Sequence, residues 1–205
     1  SATIAEAAGF RLSTVQLAAI APIVVLTWLN SRGLREGSFL QNTFTAAKVT
    51  ALLALVAAGL TSGQGSATHF SPLLPTAFNT VTLAAIAVAM SKALFAYDSW
   101  NVVTFVAEQT RNPEHTLPRA LFAGTLAVTV LYTLASVVYL YILPIDQAAN
   151  APDQRIAASV AQVLFGPIGV SLISFAILLS TAGCVNGLIL SGPWLYYAMA
   201  RDGLF

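Results

Sequence analysis

Five stretches of the chain contain no charged residue and no histidine, and polar loops separate them. These stretches are residues 12–31, 49–68, 70–91, 120–145 and 156–200. Four of them are close to the roughly 20 apolar residues that an α-helix needs to cross a bilayer. The pattern therefore predicts an all-α, polytopic helical membrane protein.

The fifth stretch is too long for a single crossing. Its 45 residues would form a helix about 67 Å long at 1.5 Å per residue, more than twice the hydrocarbon thickness. Gly-Pro-Ile-Gly at 166–169 is the best break, which leaves a short interfacial helix before it. A division at 183–187 would give six crossings, but a loop there would carry little polarity to face water.

We predict one transmembrane domain over residues 1–205 with five crossings. Their expected bounds are about 12–30, 41–60, 78–106, 118–143 and 168–197, with the interfacial helix at about 155–165. The loop at 31–39 should end the first helix. Before the fourth, Asn112-Pro113 should break the chain, and Thr116 is a candidate cap with Pro118 at the first helical position.

Composition agrees with a chain surrounded by lipid. Only 8% of the residues are charged, against about 25% in an ordinary soluble domain. The formal net charge is +1 and no run of like charge exists, so nucleic acid is not an expected partner. Cys184 is the single cysteine, so no disulfide can form within the chain.

Arginine counts predict the orientation of the five crossings. One side would carry Arg32, Arg35, Arg111, Arg119 and Arg201, and the other Arg11 and Arg155. The first loop is therefore expected in the cytoplasm and the amino-terminal end outside. An external start without a signal peptide leads us to expect that earlier helices belong to the same protein.

Three charged residues fall inside predicted helices, where charge costs about 2.5 to 3.5 kcal/mol at the bilayer centre. Lys48 lies about 10 Å into its helix, so it either pairs inside the protein or snorkels towards the headgroups. Lys92 and Asp98 lie on the third helix and could form a buried pair with each other. Each is therefore a candidate functional residue with a structural alternative.

The segment around Asp98 predicts an interruption of the third helix. Asp98, Ser99 and Asn101 have side chains that compete for backbone hydrogen bonds and weaken a helix. Breaks at mid-membrane are tolerated where they line protein or a cavity, and transporters use the freed backbone groups to hold ions and substrates. The alternative is a continuous helix in which Asp98 pairs with Lys92.

The last helix carries small residues at steps of four, Gly183, Gly187 and Ser191. Such a stripe allows another helix to approach closely. Asn186 lies beside the stripe and could bond to a neighbouring helix or to a ligand. No Walker-type phosphate loop or catalytic triad spacing is present, and His69 and His115 fall on opposite sides of the membrane, so neither an enzyme nor a metal or other cofactor is expected.

Four motifs in order resemble the amino acid/polyamine/organocation superfamily, and within it most closely the L-type amino acid transporters and their bacterial homologues. The motifs are Phe44-Thr45-Ala46-Ala47-Lys48, then Leu94-Phe95-Ala96-Tyr97-Asp98-Ser99-Trp100-Asn101, then Phe105-Val106-Ala107-Glu108 with Asn112-Pro113 and Leu117-Pro118-Arg119-Ala120, and finally Val185-Asn186-Gly187 with Ala200-Arg201-Asp202-Gly203. The resemblance implies a fragment covering the fourth to eighth of about twelve helices, in a partial inverted-repeat fold with one discontinuous helix.

The resemblance also implies roles for individual residues. Lys48 matches a lysine whose ammonium group takes the place of sodium in sodium-coupled relatives, and Glu108 and Arg201 match positions near the cytoplasmic gate. The implied substrate-binding residues are Phe95, Ala96, Asp98, Ser99, Trp100, Asn101 and Asn186. Many relatives have glycine at one or both of positions 98 and 99, so Ser99 narrows the space for substrate, while Lys92 matches no family position.

The expected function is secondary transport of amino acids by alternating access, through exchange or proton coupling. The alternatives are a polyamine or other organic cation permease of the same fold, and an inactive truncated fragment. Expected partners are the substrate, the bilayer and the remaining helices of the transporter, with any accessory subunit unknown. Multi-pass insertion follows from the predicted crossings, and the resemblance implies that the membrane is the plasma or inner membrane.

Overall fold

A computed structural model describes the backbone of residues 3–7, 10–71 and 79–204, and the side chains among these from residue 13 onward except 34 and 154. The chain is almost entirely helical, with one β-hairpin at its start. Strands β1 (Thr3–Ala7) and β2 (Phe10–Ser13) pair antiparallel. The helices are α1 (Thr14–Asn30), α2 (Leu34–Thr61), α3 (Thr80–Phe95), α4 (Pro113–Ile142), α5 (Ile145–Ala149) and α6 (Ile156–Arg201). Short 3₁₀ helices cover Ala67–Phe70, Trp100–Gln109 and Pro152–Gln154.

The helices have the length and apolarity of a multi-pass membrane protein. Four segments in the described ranges are long and apolar enough to cross a bilayer: Arg35–Thr61, Thr80–Gln109, Pro113–Ile142 and Ile156–Arg201. The shorter α1 is also apolar, and its 17 residues are at the lower limit for a span. The all-α polytopic fold class predicted from the sequence is therefore confirmed.

Helix α2 begins earlier than its sequence pattern indicates. The predicted loop 31–39 is wrong beyond Gly33, because α2 already starts at Leu34. A charged residue is unfavourable in the hydrocarbon core, but it is tolerated in a helical turn that lies outside it. The first uncharged residue therefore does not mark the start of a helix. The predicted start of the third helix, at residue 78, lies outside the described residues.

The predicted cap of the fourth helix is also wrong. Pro113 takes the first helical position, with Asn112 as the cap residue, and Pro118 lies inside α4. The Thr116 hydroxyl donates to the carbonyl of Arg111 at 2.9 Å and does not cap a later start. Proline is favourable at this position because an N–H in the first turn of a helix has no acceptor within the helix, so its absence costs no hydrogen bond.

The long apolar stretch at the end of the chain is interrupted where the Gly-Pro dipeptide stands. Gly166 has φ 64° and ψ −151°, a conformation essentially restricted to glycine, and it separates two helical parts of α6. Helical geometry then continues through residues 183–187. The alternative division there, with six crossings, is therefore wrong.

The chain divides into two compact units, which are residues 1–48 with 177–205, and residues 49–176. In the first unit, the small-residue stripe of α6 packs against α2. A Cβ added at Gly183 would lie 2.9 Å from Cβ of Phe44, and one added at Gly187 would lie 3.4 Å from Nε2 of Gln41. This is the close helix approach that the spacing of small residues predicted.

The second unit contains the apolar core. Val56 of α2, Val138 and Ile142 of α4, and Val160 of α6 are among its buried residues. A Cβ at Gly59 would overlap the Val138 side chain, so the glycine permits α2 and α4 to approach closely in this unit. The core thus fixes α4, the helix that forms one wall of the candidate site.

Candidate functional site

Regular helical hydrogen bonding stops after Phe95. The N–H groups of the next three residues bond three positions back rather than four: Ala96 to Ala93 O at 3.0 Å, Tyr97 to Leu94 O at 3.0 Å and Asp98 to Phe95 O at 3.3 Å. Ser99 then adopts a left-handed conformation with φ 67° and ψ 12°. A 3₁₀ helix resumes at Trp100, so the discontinuous helix predicted from the sequence is confirmed.

The break leaves backbone acceptors available. In the described ranges, no hydrogen bond ends on the carbonyl oxygens of Ala96, Tyr97 or Asp98. Aspartate and serine are weak helix formers because their side chains compete with the backbone, which explains why the helix fails here. A left-handed serine costs roughly 1–2 kcal/mol, so the surrounding packing must hold this geometry.

A cavity of about 270 Å³ lies between the broken segment and α4. This volume is close to the lower end of small-molecule pockets, about 300 Å³. Its walls are Ala96, Tyr97, Asp98, Ser99, Trp100 and Val103 on one side and Ala120, Leu121, Gly124, Thr125 and Val128 of α4 on the other. The residues of the helix break, including Asp98 and Trp100, therefore border one small cavity together with α4.

Four of the predicted substrate-binding residues line this cavity, and two neighbours do not. Ala96, Asp98, Ser99 and Trp100 are in its wall. Phe95 is 79% exposed in this chain and lies outside the cavity lining. Asn101 is also outside, and its carbonyl accepts a hydrogen bond from the Thr104 hydroxyl at 2.6 Å.

Asp98 and Lys92 do not form the ion pair that the continuous-helix alternative requires. Both side chains are exposed, and no salt bridge joins them. Because the helix breaks between them, they do not lie on one regular helical face, and the pairing alternative is wrong. Asp98 is instead one of the residues that line the cavity.

A larger cavity of about 790 Å³ lies in the connection between α4 and α6. Its lining includes Asp146, Asp153 and Arg155, and the Arg155 guanidinium lies 3.5 Å from the Asp153 carboxylate. None of the predicted site residues borders it. The smaller cavity at the break is therefore the candidate functional site, because four of the predicted substrate-binding residues line it.

Asn186 lies in the other unit and is completely buried. Its Nδ2 donates to Oε1 of Gln41 at 2.9 Å and to the carbonyl of Gly37 at 3.4 Å. Its Oδ1 accepts from Nδ2 of Asn30 at 2.7 Å. The side chain therefore has partners on α1 and α2, as the neighbour-bonding alternative expects, and its contact with substrate stays a prediction.

The remaining predicted residues are placed as follows. Lys48 is half-buried on α2, in the same unit as Asn186. Glu108 is exposed near the end of the 3₁₀ helix, and the Arg201 guanidinium lies 6.0 Å from the ring centroid of Tyr197. Glu108 and Arg201 belong to different units, so the gate between them stays a prediction.

The structure adds one feature that the sequence analysis did not identify. The hydroxyl of Tyr97 bonds to that of Thr129 at 2.9 Å, and its ring meets that of Tyr132 edge-on. Thr125, Thr129 and Tyr132 follow one another at steps of four and three, which places three hydroxyl side chains on one face of α4. Because α4 carries further hydroxyl residues such as Thr133, Ser136 and Tyr139, this spacing alone does not identify the contact with Tyr97.

Comparison with known proteins identifies relatives over nearly the whole chain. The family described as Amino acid permease matches residues 2–205. The b(0,+)-type amino acid transporter 1 of Oryctolagus cuniculus is 31% identical over 194 residues, which are 92% of this chain and 38% of that protein. The serine/threonine exchanger SteT of Bacillus subtilis (strain 168) is 31% identical over 182 residues, 89% of this chain and 40% of that protein.

A third relative extends the comparison to another transporter type. The large neutral amino acids transporter small subunit 2 of Mus musculus is 31% identical over 199 residues, 93% of this chain and 36% of that protein. The chain thus spans well under half the length of these relatives. Since the family match covers the broken helix and the long apolar helices together, the chain belongs to the amino acid permease family.

Proposed function

We propose that the full-length protein carrying this chain transports amino acids across the membrane by alternating access, through exchange or proton coupling. The observation that carries the proposal is the helix break at residues 96–99, which places free carbonyl oxygens beside a cavity of about 270 Å³. Such oxygens accept hydrogen bonds from an ammonium group, and broken helices serve this purpose in membrane transporters.

The charge balance of the cavity fits a substrate with a cationic amine. Asp98 is the one acidic side chain among the described residues that line the cavity. The partial negative charges of the carbonyl groups add to the same field. The family relatives are named as amino acid transporters and as a serine/threonine exchanger, which supports amino acids as the substrate class.

A second candidate is transport of polyamines or other organic cations, and Asp98 is the observation that favours it. A carboxylate in the wall of the cavity would pair with a substrate amine whether or not the substrate carries its own carboxylate. Competition separates the two: unlabelled leucine and serine should inhibit uptake of a labelled amino acid, whereas inhibition by putrescine alone would favour the cation permease.

The proposal is tested with full-length protein in liposomes that are loaded with unlabelled amino acid. Uptake of labelled serine or leucine should be saturable, and it should be much faster into loaded than into empty liposomes if exchange is the mechanism. If a proton gradient drives uptake into liposomes without internal amino acid, the mechanism is instead proton coupling. Absence of uptake under both conditions, in protein that is folded and inserted, would contradict amino acid transport.

Lys48→Ala is expected to lower transport by about tenfold or more. The family resemblance implies that the Lys48 ammonium takes the position of sodium in sodium-coupled relatives, and a hydrogen bond to a charged group contributes about 1.5–3 kcal/mol. Initial rates at several sodium concentrations and pH values measure the effect. Lys92→Ala is the matched control, because Lys92 is another helix lysine that borders neither cavity. Sodium-dependent transport that survives in Lys48→Ala would contradict the role of Lys48.

A further inference from the structure

We propose that Tyr97 is a positioning residue, which holds the broken segment of α3 against α4 and thereby sets the shape of the substrate cavity. The inference rests on the proposed function, since it concerns the same cavity. Its partners are Thr129 and Tyr132, and neither belongs to the motifs that carry the family resemblance.

The hydrogen bond between the two hydroxyl groups has a definite direction. Thr129 Oγ1 donates its hydrogen to the carbonyl of Thr125, one turn earlier on α4, at 2.8 Å. A threonine hydroxyl has one hydrogen to donate and two lone pairs to accept with. Tyr97 is therefore the donor in the 2.9 Å bond, and Thr129 offers it an acceptor that is itself fixed to the backbone of α4.

The ring of Tyr97 makes a second contact with the same helix. It meets the ring of Tyr132 at a centroid distance of 6.2 Å and an interplanar angle of 70°, an edge-to-face arrangement that aromatic pairs prefer. Thr129 and Tyr132 are three residues apart and so lie on the same face of α4. Two contacts, one polar and one aromatic, thus fix both the tip and the body of the Tyr97 side chain.

This anchor matters because few backbone hydrogen bonds restrain the segment around Tyr97. Its N–H bonds only three residues back, and the carbonyl groups of Ala96, Tyr97 and Asp98 have no partners among the described residues. Ser99, the next residue but one, has a left-handed conformation and no side-chain capping bond. The segment thus has few backbone hydrogen bonds of its own, and the Tyr97 side chain attaches it to α4.

The anchor borders the cavity, because Tyr97 is one of the residues in its wall. Tyr97, Asp98 and Ser99 form part of one wall, and Thr125, whose carbonyl receives the Thr129 hydroxyl, forms part of the other. Loss of the anchor would let the two walls separate. The affinity for substrate should therefore fall, while the maximal transport rate of the substrate-bound protein should change little.

A double-mutant cycle in the full-length protein tests the anchor. Tyr97→Phe removes the donor and keeps the ring, and Thr129→Val removes the acceptor at similar volume. Each is expected to raise KM about threefold to tenfold, the range for one hydrogen bond between membrane helices, with the maximal rate per inserted molecule within about twofold of wild type. The double variant should resemble either single variant, because both remove one interaction.

Two matched controls separate the anchor from general effects. Tyr132→Phe keeps the ring contact and removes only the Tyr132 hydroxyl. Thr61→Val removes a hydroxyl that bonds one turn back to Ala57 at 2.8 Å, like Thr129, in a helix without the tyrosine partner. Both should leave KM within about twofold of wild type. Additive effects of Tyr97→Phe and Thr129→Val, or an unchanged KM in either, would overturn the proposal.

A second measurement does not depend on transport. Ser99→Cys, in full-length protein in which every native cysteine including Cys184 is replaced by alanine, places one thiol on the broken segment, and its rate of labelling by a small maleimide reports how freely that segment moves. Tyr97→Phe and Thr129→Val should each accelerate labelling about threefold or more, whereas Thr61→Val should not. Unchanged labelling would overturn the anchor. Faster labelling in protein without amino acid uptake would support the anchor and contradict only the proposed function.

Discussion

Replacing Ser99 by valine is expected to reduce amino acid transport at least about tenfold. Ser99 has φ 67°, and a β-branched residue is a steric outlier in this left-handed region. Such strain costs on the order of 1–3 kcal/mol, and the extra methyl groups would also enter a cavity of about 270 Å³. Initial rates in liposomes, normalised to inserted protein, measure the loss.

Ser99→Gly should act in the opposite direction. Glycine adopts positive φ without a Cβ clash, so this variant should raise the free energy of unfolding by up to about 1 kcal/mol. It also enlarges the cavity, and larger amino acids such as leucine should gain relative to serine in competition assays. Ser71→Val provides a control at a serine with ordinary φ (−105°), for which little change is expected. Equal transport by Ser99→Val and Ser99→Gly would show that this backbone geometry does not limit the site.

The helix break could be predicted because its cause is local. Asp98 and Ser99 weaken a helix through their own side chains, and Gly166 permits a conformation that other residues avoid. The end of α1 and the break in α6 follow from the same kind of local chemistry. Starts of α2 and α4 could not be predicted as well, because charge at a helix end does not distinguish a helical turn from a loop.

The contacts that shape the site depend on residues far apart in the chain. Tyr97 meets Thr129 across 32 positions, and Asn186 meets Asn30 across 156. Hydrophobic periodicity indicates which face of a helix is apolar, but it does not specify which polar side chain on another helix will lie opposite. The unusual residues of the cavity could therefore be predicted, whereas the partners that position them required the structure.

Asn186→Leu is expected to lower the free energy of unfolding of the full-length protein by about 3–5 kcal/mol. The variant removes the bonds to Asn30, Gln41 and Gly37 within a completely buried site. Hydrogen bonds between membrane helices average about 0.6 kcal/mol each, and a buried acceptor left without a donor adds about 1–3 kcal/mol. Thermal melting in detergent, with and without substrate, measures the change.

The comparison with Ser191→Ala separates a structural role of Asn186 from a substrate contact. Ser191 is also buried, but among the described residues its hydroxyl bonds only to the carbonyl of Gly187 on its own helix, at 2.7 Å, so this variant should change stability by less than about 1 kcal/mol. Gln41→Leu should destabilise less than Asn186→Leu, and the double variant should cost less than the sum, because one bond is shared. If Asn186→Leu instead raises KM and leaves the melting temperature unchanged, the amide acts on substrate, as the family resemblance implies, and the three bonds contribute little to stability.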